Sequence, residues 1–360
     1  MKVAIVCDWL TGKGGAERVV KELANLYPEA PIYTSQYDPK KIDWFKNSDV
    51  RAGWLQKLSP KLKKFLPVLR AIYFSRLDLT NYDLVISSSG AEAKYIKAKK
   101  HICYMHAPTH YYWARYDNYL KYPGFPRGTN WLAKLGLKIL VGPLRKLDFK
   151  KTQAIDQIIT NSNYTKDQIK KYYGRDSKVI HPPVDLNRFT KNQNQQTRHG
   201  FVVIGRQTPY KKIDLAVSAC TKLGLDLKVL GNGPDNKKLR SIAGATVQFF
   251  NNPSDKDIVG LLKNAEGFIF PGIDDFGVVS IEALAAGTPV IAFRGGGALD
   301  YVNPGQTGEF FDQQSVSSLL SVLKKFDSKK YNPHEVAQSA GQFSSVNFRD
   351  KIKELMKEIN

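Results

Sequence analysis

The chain has 360 residues, 42% of them hydrophobic, and a formal net charge of +21 at pH 7. This length predicts two domains that each bury a core. No segment approaches the roughly 20 apolar residues of a membrane span, and the N-terminal apolar run is too short for a signal peptide. Three widely spaced cysteines (Cys7, Cys103, Cys220) indicate neither a disulfide framework nor a metal cluster, which favours a reducing compartment.

The positive charge is concentrated in the first half of the chain. Residues 1–175 contain 31 Lys and Arg against 14 Asp and Glu, a net charge of +17. Within this half, residues 51–76 interleave seven basic residues with apolar and aromatic ones, a pattern that suits an anionic membrane surface. A solvated helix hairpin that packs on its own domain explains the segment as well. No nucleic-acid-binding motif occurs, so nucleic acid is not an expected partner.

The first half of the chain alternates strand and helix patterns. Strands are predicted near 3–7, 84–88, 101–105 and 157–160, and helices near 15–26 and 164–173. This alternation predicts a parallel, doubly wound sheet with helices on both faces.

Two features of this half are candidates for a ligand site. Gly12, Gly14 and Gly15 lie between the first strand and the first helix, where glycines let a phosphate approach the backbone. A structural tight turn explains them equally well. His106 follows the strand at 101–105, where a substrate would lie, although a structural histidine remains the alternative.

The second half repeats the α/β plan after a polar linker. We predict an N-terminal domain over 1–180, a linker over 181–199, a C-terminal domain over 200–345 and a final helix over 346–360 with no identified partner. Strands are predicted near 201–205, 227–231, 247–250, 267–270 and 289–293, with helices near 212–223, 235–242, 255–264, 279–286 and 315–325. Two such sheets predict a cleft between the carboxyl ends of their strands.

Cations follow the first strand of the second half. Arg206 ends that strand, and Lys211 and Lys212 come just before a helix. A cation at a helix N-terminus works against the macrodipole, so an anion such as a diphosphate is expected to compensate for it. Ordinary surface charge is the alternative, particularly for Lys212. A third glycine turn, within 293–302, indicates close approach of a ligand to the backbone or a mobile lid.

The stretch "PGIDDFGVVSIEALAAGTPVIA" (271–292) places three acids around a tight turn. Asp274 and Asp275 follow a strand, and Glu282 lies in the first turns of the next helix. The helix N-terminus after Gly277 is suited to a phosphate, and carboxylates accept hydrogen bonds from pairs of hydroxyls. Helix capping explains Asp275, but it does not explain Glu282 within an apolar face.

The sequence resembles family 4 of the retaining glycosyltransferases, which have the two-domain GT-B fold. The resemblance runs over nearly the whole chain. The motifs that carry it, in the family's order, are "GGAERVV", "YMHAP", "IITNSNYTKDQI", "VIHPPVD", "GRQTPYKKIDLAV", "LGNGP" and "DDFGVVSIEALAAGTPVIAFRGGGALDYV". The forms "TPYKKIDLAV" and "GGGALDYV" resemble the bacterial mannosyltransferases of polysaccharide and O-antigen assembly. The implied fold is α/β, with two Rossmann-like doubly wound domains facing across a cleft.

This resemblance implies a donor site, position by position. Arg206 and Lys211 match the cations that bind the donor diphosphate. Glu282 matches the acid that binds the donor ribose, and Asp274 stands where the family usually has a Glu that holds the donor sugar. The side chain of Asp274 reaches one methylene less far toward the donor sugar than that of a Glu would. The remaining matches are the phosphate-cradling turn Phe276, Gly277, Val278 and Val279, the N-terminal loop Gly14 and Gly15, and His106 near the donor sugar.

The resemblance and the net charge of +17 over the first half together predict a cytoplasmic, peripherally membrane-associated retaining transferase. The expected donor is GDP-mannose and the expected acceptor is lipid-linked or a polysaccharide, bound by the N-terminal domain. Arg206, Lys211, His106 and Asp274 are the expected catalytic residues, and no metal or other cofactor is expected. The alternatives are a UDP-sugar donor, a sugar-nucleotide epimerase, and an inactive relative that binds polyanions.

Overall fold

The computed structural model describes residues 1–58, 67–121, 130–190 and 198–359. The chain divides into two compact units, Met1–Pro183 with Phe348–Asn360, and Val184–Asn347. Residues 59–66 of the predicted basic segment and residues 191–197 of the predicted linker lie outside the described residues.

The first unit contains a sheet of seven parallel strands in the order β3-β2-β1-β4-β5-β6-β7. Its strands are β1 (Val3–Cys7), β2 (Ile32–Thr34), β3 (Val50–Ala52), β4 (Leu84–Ser89), β5 (His101–Met105), β6 (Gln157–Thr160) and β7 (Lys178–Val179). Its helices are α1 (Gly15–Leu26), α2 (Pro67–Arg76), α3 (Tyr116–Lys121), α4 (Asn130–Gln153) and α5 (Asn163–Tyr173).

Both faces of this sheet are buried. Along β1, Ile5 packs in one hydrophobic cluster, whereas Ala4 and Val6 pack in the cluster on the opposite face. This follows from the alternation of side chains along a strand. Burial on both faces explains why the strand at 3–7 reads as an uninterrupted apolar run.

The second unit contains six parallel strands in the order β10-β9-β8-β11-β12-β13. Its strands are β8 (Phe201–Ile204), β9 (Leu227–Leu230), β10 (Val247–Phe250), β11 (Gly267–Phe270), β12 (Val290–Phe293) and β13 (Gly308–Phe311). Its helices are α6 (Asn187–Thr190), α7 (Ile213–Leu223), α8 (Asn236–Ser241), α9 (Asp255–Lys263), α10 (Val278–Ala285), α11 (Val316–Leu323) and α12 (Pro333–Ser339). The predicted fold class, two Rossmann-like doubly wound domains, is confirmed by these sheets.

The strand order locates the place where each sheet binds ligands. In the first sheet, the order reverses between the neighbours β1 and β4; in the second, it reverses between β8 and β11. Connections leave such neighbours toward opposite faces, which opens a crevice at their carboxyl ends. The loops after these strands are therefore the first candidates for function.

The final helix, α13 (Ser345–Ile359), has a partner that the sequence did not identify. Phe348, Ile352, Leu355 and Met356 belong to the hydrophobic cluster that contains β1 and α1. Arg349 at its start is ion-paired with Glu22 of α1. The chain thus returns to the first unit after completing the second. None of the helices that the structure describes has the length and apolar character needed to span a bilayer.

Candidate functional site

The loop after β8 brings Arg206 and Lys211 to the carboxyl edge of the second sheet. Arg206 is exposed, and no acidic side chain among the described residues pairs with it. Lys211 closes a short 3-10 turn (Pro209–Lys211). Lys212 follows with φ of 53°. Among the residues that the structure describes, it is the only non-glycine residue with a positive φ. Because of this turn, both lysines precede α7 and do not follow its helical spacing.

Buried Gln207 fixes this loop from below. Its side-chain amide donates to the Gly231 carbonyl at 2.7 Å, and its backbone NH donates to the Asn232 carbonyl at 3.0 Å. A Cβ at Gly233 would lie 2.3 Å from the Gln207 carbonyl oxygen. The glycines of "LGNGP" therefore allow backbone contact with the cation loop. Gln207 was not predicted as a site residue.

The loop after β11 brings Asp274 to Lys211. A Cβ at Gly272 would lie 2.9 Å from the Lys211 carbonyl oxygen, so the two loops pack backbone to backbone. The Lys211 ammonium forms an ion pair with the Asp274 carboxylate, and both side chains are mostly buried. Two residues that the sequence predicted for separate parts of a donor thus contact each other directly.

Helix α10 begins beside this ion pair. Gly277 precedes it with φ of 92°, and a Cβ there would lie 2.8 Å from the Phe270 ring. Glycine is required for both the backbone conformation and the space. Val278 and Val279 supply amides of the first turn, which lack intrahelical acceptors at a helix N-terminus. An anion at this position would complement the helix dipole.

Phe276 anchors the same turn in the core. Its ring packs edge-to-face on Tyr301 and Phe343 at centroid distances of 5.6 Å, and the Tyr301 hydroxyl donates to the Phe276 carbonyl at 2.9 Å. Burial raises the pKa of Tyr301 far above its ordinary value, so this hydroxyl stays a donor. Phe276 therefore shapes the turn through its backbone and core packing.

The glycine turn after β12 supports the acidic loop. A Cβ at Gly296 would lie 2.5 Å from the Asp274 carbonyl oxygen, and one at Gly297 would lie 2.4 Å from the Phe276 Cα. The Gly297 NH also donates to the Asp274 carbonyl at 2.9 Å. Gly296 and Gly297 thus contact the protein's own backbone, and the ligand approach or mobile lid indicated by the sequence stays a prediction.

Glu282 is paired with an arginine that sequence reasoning missed. Arg188 Nη1 donates to Glu282 Oε1 at 3.1 Å, and Arg188 Nη2 lies 3.3 Å from Asp255 Oδ1. The Glu282 side chain is 9% exposed, whereas that of Asp255 is 86% exposed. Arg188 lies in α6, inside the predicted linker, where a polar sequence gave no signal of a site. Its role is to neutralise and orient the buried Glu282 carboxylate.

In the first unit, Gly14 and Gly15 start α1 after β1. Gly14 is the N-cap in an extended conformation, and a Cβ there would lie 2.7 Å from a Glu17 carboxylate oxygen. His106 follows β5, and its Nε2 lies 2.8 Å from the Ser88 hydroxyl at the end of β4. The Asn161 amide donates to the His106 carbonyl at 2.8 Å. These contacts hold the imidazole at the carboxyl edge of the first sheet.

Asp8, also missed by sequence reasoning, binds the loop after β4 at the place where the strand order of the first sheet reverses. Its carboxylate accepts from the backbone NH groups of Gly90 at 2.8 Å, Ala91 at 3.0 Å and Ala93 at 2.7 Å. The loop after β4 is therefore wrapped around a side chain that follows β1. This arrangement positions the loop beside His106, whose backbone NH donates to the Ser89 carbonyl at 2.9 Å.

Two buried ion pairs join this loop to helices α2 and α4. The Arg70 guanidinium donates to Glu92 at 2.7 Å, and Lys94 Nζ lies 2.8 Å from the Asp148 carboxylate. Burial raises the pKa of Glu92 in spite of Arg70. For Asp148, burial acts in the same direction, but the Lys94 charge and several donated hydrogen bonds outweigh it and lower the pKa.

Comparison with known proteins assigns both units. Residues 13–188 match the family model described as Glycosyltransferase Family 4, and residues 186–342 match the model described as Glycosyl transferases group 1. The chain belongs to the GT-B glycosyltransferases of family 4 and group 1. The predicted family is thereby confirmed, while its mannose-specific branch stays a prediction.

The curated relatives match over part of their length. The chain is 31% identical over 193 residues to a D-inositol 3-phosphate glycosyltransferase of Mycobacterium sp. (strain KMS), a match that covers 47% of this chain and 44% of the relative. It is 29% identical over 192 residues to the protein of the same name from Mycobacterium bovis (strain BCG / Pasteur 1173P2), covering 47% of this chain and 40% of the relative. The matched region thus spans less than half of each relative.

Solved structures share the fold over the whole chain. Sucrose-phosphate synthase from Thermosynechococcus elongatus superposes with a TM-score of 0.73 at 16% identity, covering 100% of this chain and 99% of that one. Anabaena Alr3699/HepE in complex with UDP-glucose superposes with a TM-score of 0.70 at 18% identity, covering 99% and 100%. At these identities the comparison establishes the fold.

Proposed function

We propose that this GT-B chain is a retaining glycosyltransferase that moves α-mannose from GDP-mannose to a lipid-linked or polysaccharide acceptor. The observation that carries the proposal is the ion pair between Lys211, in the loop after β8, and Asp274, in the loop after β11. This pair lies beside the N-terminus of α10. Cations, a carboxylate and unbonded amides are what a sugar diphosphate needs at one site.

Leaving-group stabilisation is the proposed contribution of Arg206 and Lys211. Breaking the bond between the anomeric carbon and the diphosphate builds negative charge on the phosphate oxygens. Positioned cations and helix amides lower the energy of this charge in the transition state. We propose that they do so without a metal. Asp274 would hold donor-sugar hydroxyls, and Glu282 would bind the ribose.

Retention is proposed to arise from attack on the face that the diphosphate leaves. The acceptor hydroxyl oxygen bonds to the anomeric carbon, the bond to the diphosphate breaks, and a phosphate oxygen takes the hydroxyl proton. No carboxylate is assigned as a general base in this scheme. In the first unit, Gly14 and Gly15 would face the diphosphate, and His106 would lie near the donor sugar.

A UDP-sugar donor is the second candidate. It is favoured by the solved structure of HepE with UDP-glucose, whose fold this chain shares. Asp274 in place of the family's usual Glu also leaves the choice of sugar open, because the reach is one methylene shorter.

The acceptor proposal includes a membrane. The net charge of +17 over residues 1–175 would attract an anionic inner membrane surface and place the protein peripherally on its cytoplasmic side. The predicted contact is residues 51–76, of which 59–66 lie outside the described residues. Lowering the charge of residues 57–64 should reduce transfer to a lipid acceptor and spare transfer to a soluble one. Equal loss on both acceptors would contradict this contact.

A thermal-shift comparison of GDP, UDP, ADP and dTDP tests the donor. A ligand at 100 times its Kd adds roughly 2.7 kcal/mol to stability, which corresponds to a Tm rise of about 5–11 °C for a unit of this size. A rise with GDP alone would support GDP-mannose, and a rise with UDP alone would replace the sugar. A protein that responds to none of the four is not a transferase of the proposed kind.

A further inference from the structure

Helix α4 has one buried and one exposed side in the first unit. Val141, Leu144, Asp148 and Thr152 are buried and recur at helical spacing along one side. On the outward side, Trp131, Leu135 and Ile139 are 62%, 49% and 64% exposed. Phe149, also exposed, lies 18 residues or five turns after Trp131 and so points the same way.

Lysines interleave with these exposed apolar residues. Lys138, Lys146 and Lys150 are exposed on the same side of the helix, whose only acidic residue in sequence is buried Asp148. We call Trp131, Leu135, Lys138, Ile139, Lys146, Phe149 and Lys150 the α4 outer face. An apolar stripe that contains Trp and is flanked by cations, with no anion, matches the interfacial zone of an anionic bilayer.

The helix that carries this face is held firmly to the unit. Asp148 accepts hydrogen bonds from Tyr95, Trp113 and Tyr173, each at 2.6 Å, in addition to its pair with Lys94. Such a fully satisfied network specifies one orientation of the helix about its axis. The part of α4 after Pro143, which carries the exposed Phe149, is therefore held in one orientation.

Two further contacts near its end fix the same orientation. Arg145 Nε donates to the Tyr112 carbonyl at 2.5 Å, and Lys151 Nζ donates to the Tyr95 carbonyl at 2.8 Å. Both cations are thus directed to the protein, whereas Lys138, Lys146 and Lys150 are left to face outward. These five basic residues of α4 thus divide in the same way as its two sides.

We infer that the α4 outer face inserts into the interfacial region of an anionic phospholipid bilayer. Aromatic and aliphatic side chains would enter the acyl boundary while the lysines contact lipid phosphates. This surface is distinct from the predicted contact at 51–76. It rests on the proposed function only in that a lipid-linked acceptor gives membrane binding a purpose, and its test requires neither donor nor acceptor.

Vesicle co-sedimentation of the full chain tests this surface. The vesicles are phosphatidylcholine alone or mixed with phosphatidylglycerol, at low and at high salt. Leu135→Gln with Ile139→Gln removes apolar contact, and Lys138→Gln with Lys146→Gln removes charge. Val346→Gln, at an exposed apolar position of α13, is the matched control. Unchanged Tm values establish that each variant is folded.

The wild type and V346Q should bind the anionic vesicles, and high salt should weaken binding. The Leu135/Ile139 variant should lose at least about tenfold in partition coefficient, because each large apolar side chain contributes about that factor. The lysine variant should bind more weakly to anionic vesicles alone. Trp131→Leu should bind normally but show less fluorescence quenching by brominated lipid, since the reporting indole is gone.

Several results would overturn the inference. If the wild-type protein does not bind anionic vesicles at low salt, the α4 outer face is not a membrane-binding surface. Binding that survives loss of Leu135 and Ile139 but fails without the lysines is electrostatic attraction without insertion. A dimer that dissociates in the Leu135/Ile139 variant, without vesicle binding, assigns the face to self-association. The nucleotide thermal shift is independent of these outcomes, so the donor proposal and this inference fail separately.

Discussion

Replacing Glu282 with Ala tests the ribose-binding role proposed for its carboxylate. A hydrogen bond to a charged group contributes about 1.5–3 kcal/mol, so losing one bond to a ribose hydroxyl should raise the nucleotide Kd by about 10- to 150-fold. The side chain is 9% exposed and already holds Arg188 at 3.1 Å. Isothermal titration with the nucleotide that gives the largest thermal shift measures the change.

The second carboxylate beside Arg188, that of Asp255, provides the control. Asp255→Asn removes the other carboxylate next to Arg188, which is 86% exposed and lies 3.3 Å from it. This change should alter the nucleotide Kd by less than about fivefold, because surface pairs contribute about 0–1 kcal/mol. Arg188→Ala should weaken binding in the same direction as Glu282→Ala, since the buried Glu282 carboxylate loses the guanidinium that helps to orient it. An unchanged Kd in a folded Glu282→Ala variant would refute the assignment.

Three further predictions concern turnover and stability. Lys211→Ala should lower kcat about 10²- to 10³-fold by removing leaving-group stabilisation, whereas Lys238→Ala, at an exposed position, should leave kcat unchanged; equal rates would contradict the role. Lys94→Met should cost about 3–5 kcal/mol in urea unfolding because it leaves Asp148 buried without its cation, and a loss below about 1 kcal/mol would show that the pair is not needed. Burial lowers the pKa of His101 to about 4, so the unfolded chain takes up a proton at a higher pH than the folded chain does. The free energy of unfolding should therefore fall as the pH drops from about 6.5 toward 4, by about 3 kcal/mol at most. His101→Gln should flatten this pH dependence, and an unflattened curve would assign it to another group.

The sheets were predictable because their central strands are buried on both faces. A strand such as β1 or β11 must be apolar throughout, which leaves an unmistakable run in the sequence. The edge strands β3 and β7 carry partly or fully exposed residues and have only three and two residues, so they left no such run. Helix α4 was missed for a related reason, because its outward side is as apolar as its buried side and masks the helical period.

The site residues on tight turns were predictable, and those that depend on tertiary contacts were not. Gly277 could be predicted because a residue with φ of 92° in contact with Phe270 must be a glycine, which is visible in the sequence. Arg188 is 94 residues from Glu282 in sequence, and nothing around it marks a buried carboxylate as its partner. Asp8 is similarly remote from the loop after β4 that it binds. Pairings of this kind depend on the fold that brings distant loops together.

The ion pair between Lys211 and Asp274 gives the proposed donor site a definite free state. Before the donor binds, each group satisfies the other in a mostly buried position, where an unpaired charge would be costly. A sugar diphosphate can separate them only by supplying a partner to both, phosphate oxygens to Lys211 and sugar hydroxyls to Asp274. A free nucleoside diphosphate supplies the first partner alone and takes Lys211 away from Asp274 without replacing its charge. The complete donor should therefore bind more tightly than its nucleotide, and Asp274→Asn should reduce that difference, because a neutral side chain no longer needs the sugar to replace the lysine.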